Sequence, residues 1–436
     1  MTDWIGETFT SSTGWFHLEA LVDVGDRMAG SAGERRAAEL TRDALADAGA
    51  RDSRLVEFDI QGWTREESTV EAGETTQDCI ALPRSPADAA TGEFVDLGYG
   101  LPEDFESAEC EDSIVMVASD APDWQDRRVH RREKYYRAVE AGAAAFVFRN
   151  HVDGCLPPTG SVGTPDHPIG EIPAVGVSKE VGLRLARRFE GERVTVTVDA
   201  DVGPATSRNV HAELGPETDD AVLLTSHVDA HDLSEGAMDN GAGTAAVVEV
   251  VRALASRESD LDTRVHVVCF GAEEVGLRGS AHHAERADFD EVRAVVNLDG
   301  VVRGRTLRAK THGFDELGAA VRAVSDRFDH PITVDPQLGP HSDHWSYAKW
   351  GVPACWVKSE TPDRGRGWGH THADTIDKLD PRDLRESAIL LTALVVELAD
   401  EDRTIPHATP EDVATDLESQ SLAEGMRVTG DWPYGE

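Results

Sequence analysis

Residues 221–229 read AVLLTSHVD, residues 264–274 read RVHVVCFGAEE and residues 293–300 read RAVVNLDG. Each is a short apolar, β-branched run that ends in side chains able to bind a cation or move a proton. Such runs between turn signals predict buried strands over 221–225, 264–270 and 293–298, with a fourth over 352–357. Residues 242–255, 314–328 and 385–399 carry helical spacing between and after them. Strand alternating with helix implies a mainly parallel, doubly wound α/β sheet. In an open sheet of this kind a ligand sits beyond the carboxyl ends of the strands. Here those ends deliver His227 and Asp229, then Glu273 and Glu274, then Asp299, to one edge.

Two further stretches belong with that edge. Residues 236–243, GAMDNGAG, form a glycine-rich turn before a helix. Asp239 or Asn240 suits a helix cap. Asp239 also suits a carboxylate shared by two metal ions, with glycines letting the backbone approach closely. The two readings are compatible. Residues 365–375, GRGWGHTHADT, read as a loop presenting a histidine.

This set has a chemical logic. A peptide carbonyl is a poor electrophile, and water is a poor nucleophile at neutral pH. Two metals roughly 3.5–4 Å apart can activate both. A carboxylate that is not a ligand must then take the proton of the attacking water. Histidine, aspartate and glutamate without cysteine match borderline metals such as zinc, cobalt or manganese. Adjacent Glu273 and Glu274 fit two jobs, one on the metal and one on the water.

Outward from this centre, residues 14–49 read as helix with a break at Ala29-Gly30-Ser31, and residues 55–60 as a strand. Residues 70–202 change character. Strands are expected at 113–118, 143–148, 172–177 and 194–198, with a basic helix over 127–141 and another before the last strand. This is a second α/β module. Residues 400–436 are polar and broken by Pro406 and Pro410, which predicts an extended or loosely docked tail.

The motifs SHVDA, GAMDNGAG, GAEEVGLRGS, NLDG, SDHWSYAKWGVPA and GHTHADT, in this order, resemble the M28 family of co-catalytic zinc exopeptidases. The resemblance covers about residues 15–75 and 205–400. It implies a three-layer α/β/α domain around a mainly parallel mixed sheet. The middle segment, with IPAVGVSKEVGLRL, resembles a protease-associated (PA) domain. The implied divisions are 1–75 and 205–402 for the peptidase domain, 76–204 for the insert and 403–436 for the tail.

By the same resemblance one metal takes His227, Asp299 and a share of Asp239. The other takes Glu274, His370 and the rest of Asp239. Glu273 is the base, and Asp229 holds the His227 ring. His370 is chosen over His372 because the family frame His-Thr-x-x-Asp-Thr fits residues 370–375. His282 and His283 are expected on a helix surface, with His341 and His344 near the cleft. Gly369 stands where several relatives carry tyrosine, so the second metal, Tyr347 or His344 would stabilise the oxyanion. The implied activity is that of an aminopeptidase with two zinc ions (Co2+ or Mn2+ as substitutes). A carboxypeptidase or dipeptidase, a glutaminyl-cyclase-like enzyme and an inactive binding scaffold are the competing readings.

Composition bounds the rest. A chain of 436 residues with 40% hydrophobic residues and 9 Trp can bury two cores, which argues against disorder. Its 82 acidic and 42 basic residues give a formal charge of −40. The acid is spread evenly and lysine is scarce, which resembles haloarchaeal proteins adapted to strong salt. There the screening length shrinks to about 3 Å at 1 M. The alternative is an acidic face for a basic partner. Nucleic acid needs a basic stripe that this chain lacks. Cys79, Cys110, Cys155, Cys269 and Cys355 form no disulfide framework or zinc knuckle. Neither a signal peptide nor a membrane span is read, so a cytoplasmic protein acting on peptides is expected. Nothing in the sequence sets the oligomeric state.

Overall fold

Residues 3–125, 127, 129–361 and 367–435 are described by a computed structural model. Gly365 and Arg366 of the histidine loop, and Arg128 of the expected basic helix, lie outside the described residues. The chain forms two units, the first from Met1–Ile60, Ala205–Arg364 and Asp374–Leu417, the second from Gln61–Pro204, Gly365–Ala373 and Glu418–Glu436.

The first unit is built on strands β1 (Arg51–Ala72, as far as Ile60), β2 (Arg193–Leu214, from Ala205), β3 (Ala221–His227), β4 (Arg264–Phe270), β5 (Val292–Leu298), β6 (Leu307–Lys310), β7 (Ile332–Asp335) and β8 (Ala354–Ser359). The sheet order is β7-β6-β8-β5-β3-β4-β2. The pairs β4/β3, β3/β5, β5/β8 and β6/β7 are parallel, while β4/β2 and β6/β8 are antiparallel. This is the mainly parallel mixed sheet that the strand–helix alternation implied.

Its helices are α1 (Asp3–Thr10), α2 (Thr13–Val22), α3 (Ala32–Asp47), α4 (Ala242–Ala255), α5 (Arg278–Ala284), α6 (Asp315–Phe328), α7 (Trp345–Ala348) and α8 (Pro381–Leu398). Alternation along the strands separates the two faces of the sheet. Val210, Ala212, Leu214, Val265, Val267 and Cys269 join one core with Leu18 of α2, Leu45 of α3, Val247 of α4, Val321 of α6 and Leu391 of α8. On the other face lie His211, Glu213 and His266, and α5 packs with α7 away from that core. Two helical layers around one sheet follow.

Local signals explain the element bounds. Ser31 accepts from the Glu34 amide while Glu34 accepts from the Gly30 amide, closing the start of α3. Asp380 caps α8 and Pro381 takes its first position, so this helix begins earlier than hydrophobic spacing alone suggested. β1 is longer than the six residues read as strand, and β3 carries two residues more, making His227 its last residue.

In the second unit, strands Asp88–Asp96, Ile114–Ala118, Ala145–Arg149 and Ala174–Val177 run parallel in that order, and Ile80–Ala81 adds antiparallel to the last. Val115, Val117, Tyr135, Phe146 and Phe148 form its core. The basic helix starts later than its charge suggested, at Arg131 (Arg131–Glu140), because His130 caps it. Arg127 and Arg137 clamp the buried Glu133 from both sides. Buried Lys134 donates to the carbonyls of Ala118 and Asp120, 2.8 Å each.

The tail is a correction. Residues 410–428 are not extended: they form helices Pro410–Ser419 and Ala423–Val428. Val413 and Leu417 are buried in the first helix, Ala423 and Met426 in the second. The second packs on Arg131–Glu140, where Glu424 meets Arg137 at 2.6 Å. Pro410 opens a helix here and does not break one.

Candidate metal centre

Adjacent strands β4, β3 and β5 end level with one another. Phe270 faces His227 across β4 and β3, and Asn297 faces Thr225 across β5 and β3. The residues that follow, Glu273 and Glu274 after β4 and Asp299 after β5, therefore reach the rim where His227 stands. One ligand atom from each of His227, Glu273 and Asp299 lies within 4.8 Å of the others.

The His227 ring is fixed in one tautomer. Its Nδ1 donates to the Asp229 carbonyl at 3.0 Å, because a carbonyl can only accept. In the neutral ring Nε2 then carries a lone pair. Yet Nε2 is buried without a hydrogen bond and faces Asp239 at 3.4 Å and Asp299 at 3.9 Å. A lone pair aimed at two carboxylates is unfavourable unless a cation or proton lies between them. Burial lowers the ring's proton affinity, but Glu273, Asp229 and Asp239 outweigh it and hold His227 well above the ordinary histidine range.

Asp239 sits in the glycine-rich turn before α4. Gly236 has φ +58°, a left-handed conformation that favours glycine. A Cβ on Gly243 would stand 2.2 Å from Asn240 Oδ1 and 2.5 Å from the Leu298 carbonyl. Asn240 ties the turn to the end of β5, donating to that carbonyl at 2.8 Å. Asp374 accepts from the amides of Met238 at 2.6 Å and Asp239 at 3.2 Å. Arg27, fully buried, donates to the carbonyls of Leu21, Val228, Glu235 and Gly236.

The Asp229 carboxylate accepts the backbone N–H groups of Glu273 at 3.0 Å and Glu274 at 3.1 Å. Its Oδ1 is 3.5 Å from His227 Nδ1, farther than its own carbonyl. Asp229 thus sets the ring with its backbone and the Glu273–Glu274 turn with its side chain. Glu274 lies 2.9 Å from His231 Nε2. A relay runs from Thr225 to Asn297 at 2.7 Å, Asn297 to Ser342 at 2.8 Å and Ser342 to Asp299 at 2.6 Å. Burial raises Glu273 well above the carboxylate range; His227 opposes this, while Glu274, Asp343 and Asp299 add to it. Asp343, buried with both oxygens lacking a hydrogen bond, is pushed by burial to about 8.

So many buried carboxylates around one imidazole cost several kcal/mol per ion unless a cation compensates. Arg27 is turned to carbonyls. The donor set of nitrogen and oxygen without sulfur, and the His227 lone pair, fit a divalent metal such as zinc.

Residues 209–395 match the model of peptidase family M28, and residues 79–185 match that of the PA domain. The chain carries a peptidase family M28 domain and a PA domain. The aminopeptidase YwaD of Bacillus subtilis is 28% identical over 87% of this chain and 83% of its own length. The probable lipoprotein aminopeptidase LpqL of Mycobacterium tuberculosis is 28% identical over 64% of this chain, which spans 56% of that protein. The same fold is seen in a peptidase M28 precursor from Shewanella amazonensis, with TM-score 0.77, 21% identity and coverage of 93% of this chain and 97% of that one. The zinc aminopeptidase of Bacillus subtilis gives TM-score 0.72 at 24% identity, covering 94% and 99%.

Within the M28 domain the structure brings together His227, Asp229, Asp239, Glu273, Glu274 and Asp299. His370 belongs to the second unit, where its Nδ1 donates to the Thr159 carbonyl at 3.2 Å. His370 is buried and His372 exposed. His231, Asp374, Ser342 and Arg27 escaped the sequence reading. For His231 a signal existed, two residues after Asp229; for Arg27 there was none. Of the α5 histidines, both half-buried, His283 needs correction: it is turned inward, its Nδ1 pairing with the Tyr347 hydroxyl at 2.5 Å. Tyr347 is thereby engaged. His344 is buried, stacked on Trp356, with Nε2 donating to the Gly339 carbonyl.

Among the described residues no helix is long and apolar enough to cross a membrane.

Proposed function

We propose that this M28 chain is a co-catalytic metallo-aminopeptidase that removes amino-terminal residues from peptides with two zinc ions, for which Co2+ or Mn2+ can substitute. His227 and Asp299 hold one ion, Glu274 and His370 the other, and Asp239 is shared. The carrying observation is the group of His227, Glu273 and Asp299, with His227 Nε2 facing the carboxylates of Asp239 and Asp299. The relatives' names supply the amino-terminal direction of attack.

When bound, the cations supply Lewis acidity and balance the buried negative charge. Glu273 takes the proton of the attacking water and passes it to the departing amine. Asp229 keeps that carboxylate in place through the Glu273 and Glu274 amides. Thr159 sets the His370 tautomer so that Nε2 carries the lone pair. The even acidity, −40 in all, is adaptation to strong salt in a cytoplasmic enzyme, and it disfavours nucleic acid as a partner.

The test is a substrate panel in molar salt. Leucine anilide should be cleaved, the N-acetylated anilide and carboxy-terminal reporters should not, and chelator should abolish cleavage until zinc is restored. Cleavage of blocked substrates alone, or chelator resistance, contradicts the reading.

A further inference from the structure

β2 and β4 pair antiparallel with Glu213 opposite His266 and His211 opposite Val268. Residues directly opposite, and residues two apart, share a face of the sheet. His211, Glu213 and His266 therefore stand together on the face away from the main core. α5 crosses that face and adds His283. The ring centroids form a nearly regular triangle: 5.2 Å for His211–His266, 5.3 Å for His211–His283 and 5.3 Å for His266–His283. One ligand atom from each ring lies within 4.8 Å of the others.

Three imidazoles rarely gather merely to fill space, because each ring needs partners for two nitrogens. Here His211 Nδ1 and His266 Nε2 approach to 3.0 Å, while His211 Nε2 is buried with no hydrogen bond. Glu213 Oε1 is 3.7 Å from His266 Nε2, and its Oε2 is buried without a hydrogen bond, 4.0 Å from Arg264 Nε. Zinc–nitrogen bonds of about 2.0–2.1 Å in a tetrahedron set nitrogens roughly 3.3 Å apart; the His211–His266 pair stands at 3.0 Å, and a ligand atom of His283 lies within 4.8 Å of both. His283 Nδ1 pairs with the Tyr347 hydroxyl, as the outer nitrogen of a metal-bound histidine pairs with a polar group. Burial holds His211 and His283 neutral, down to about 3 and about 4, and His266 well below the usual range; the neutral ring is the ligand form.

We propose that His211, His266 and His283, with Glu213 beside His266, form a structural binding site for a divalent transition metal, separate from the Glu273 centre. Its consequence is mechanical. α5 begins directly after the Glu273–Glu274 turn, whose Glu273 carbonyl accepts from the Gly276 and Leu277 amides. An ion held by His283 from the helix and by His211 and His266 from the sheet staples that turn to two strands.

The test uses the full chain with its catalytic ions in place, dialysed against Zn2+ alone and counted by elemental analysis. Wild type should hold one ion per chain more than His283→Ala, and added Zn2+ should raise the thermal midpoint of wild type only. His283→Ala, fully loaded at the Glu273 centre, should keep leucine anilide turnover within about twofold at the reference temperature. Cu2+ added to the zinc-loaded wild type should give an electron paramagnetic resonance spectrum with coupling to several imidazole nitrogens, a readout needing no variant. Equal ion counts in wild type and His283→Ala, or Cu2+ without nitrogen coupling, would overturn the site. These counts do not depend on peptidase activity, so this proposal and the aminopeptidase reading fail separately.

Discussion

Ser342 shows what a single hydroxyl contributes. It donates to Asp299 at 2.6 Å and accepts from Asn297 at 2.8 Å. Ser342→Ala removes a hydrogen bond to a charged group, worth about 1.5–3 kcal/mol, and leaves a buried amide N–H unpaired. Metal affinity should fall about 10–100-fold with the fold intact, the usual effect of losing an outer partner of a ligand. Isothermal titration of zinc into the apo protein measures it; unchanged affinity would show that Asp299 needs no such support. Residues of this kind were hard to read because their meaning depends on distant neighbours. His227, Glu273 and Asp299 were legible because each directly follows its own apolar run. Ser342 and Asp374 act on partners 43 and 136 residues away. His283 was misplaced because a short helix does not reveal which face another strand pair will cover.

At the scale of elements, α2, α3 and the turn before α4 are held by polar groups inside apolar layers. His17 of α2 meets Thr41 of α3 at 3.1 Å, and Arg27 fastens the following loop to the turn that carries Asp239. Burial, with Arg27 adding to it, lowers His17 to about 4. The unfolded histidine takes a proton near pH 6.5, the folded one not until about 4. In that window the unfolded state binds more protons, so stability is full above 6.5 and drains as pH falls. His17→Gln removes this titration. The stability difference between wild type and variant should shrink or reverse by up to about 1.4 kcal/mol per pH unit between 6.5 and 4. Urea unfolding of both proteins at pH 7 and pH 4.5 checks this, and parallel curves would contradict it. Elements were read better than their ends where they were read at all: β3, β4, β5, β8, α4 and α6 fell where periodicity put them, while β6, β7, α1 and β2 from Ala205 went unread. α8 began early at an Asp-Pro cap, and the last helix rests on contacts with the Arg131–Glu140 helix that no local pattern encodes.

For the whole molecule the decisive quantity is charge. A formal −40 spread over both units implies self-repulsion that salt screens. Helical circular dichroism should persist in molar salt and fall as salt is dialysed away near neutral pH. Full structure in dilute buffer would assign the acidity to something other than salt adaptation. In the second unit Arg127, Arg137 and Lys134 are committed to internal partners.

The central claim is that Glu273 moves the proton in metal-assisted hydrolysis at this centre. Glu273→Gln keeps the size and the hydrogen-bonding reach of the side chain but removes its basic oxygen. The measurement is leucine anilide turnover of Glu273→Gln together with metals counted per chain, in molar salt. Turnover should drop by about 10²–10⁴-fold while the metal count stays at the wild-type value. A fully metallated Glu273→Gln protein that turns over substrate at the wild-type rate would contradict the account.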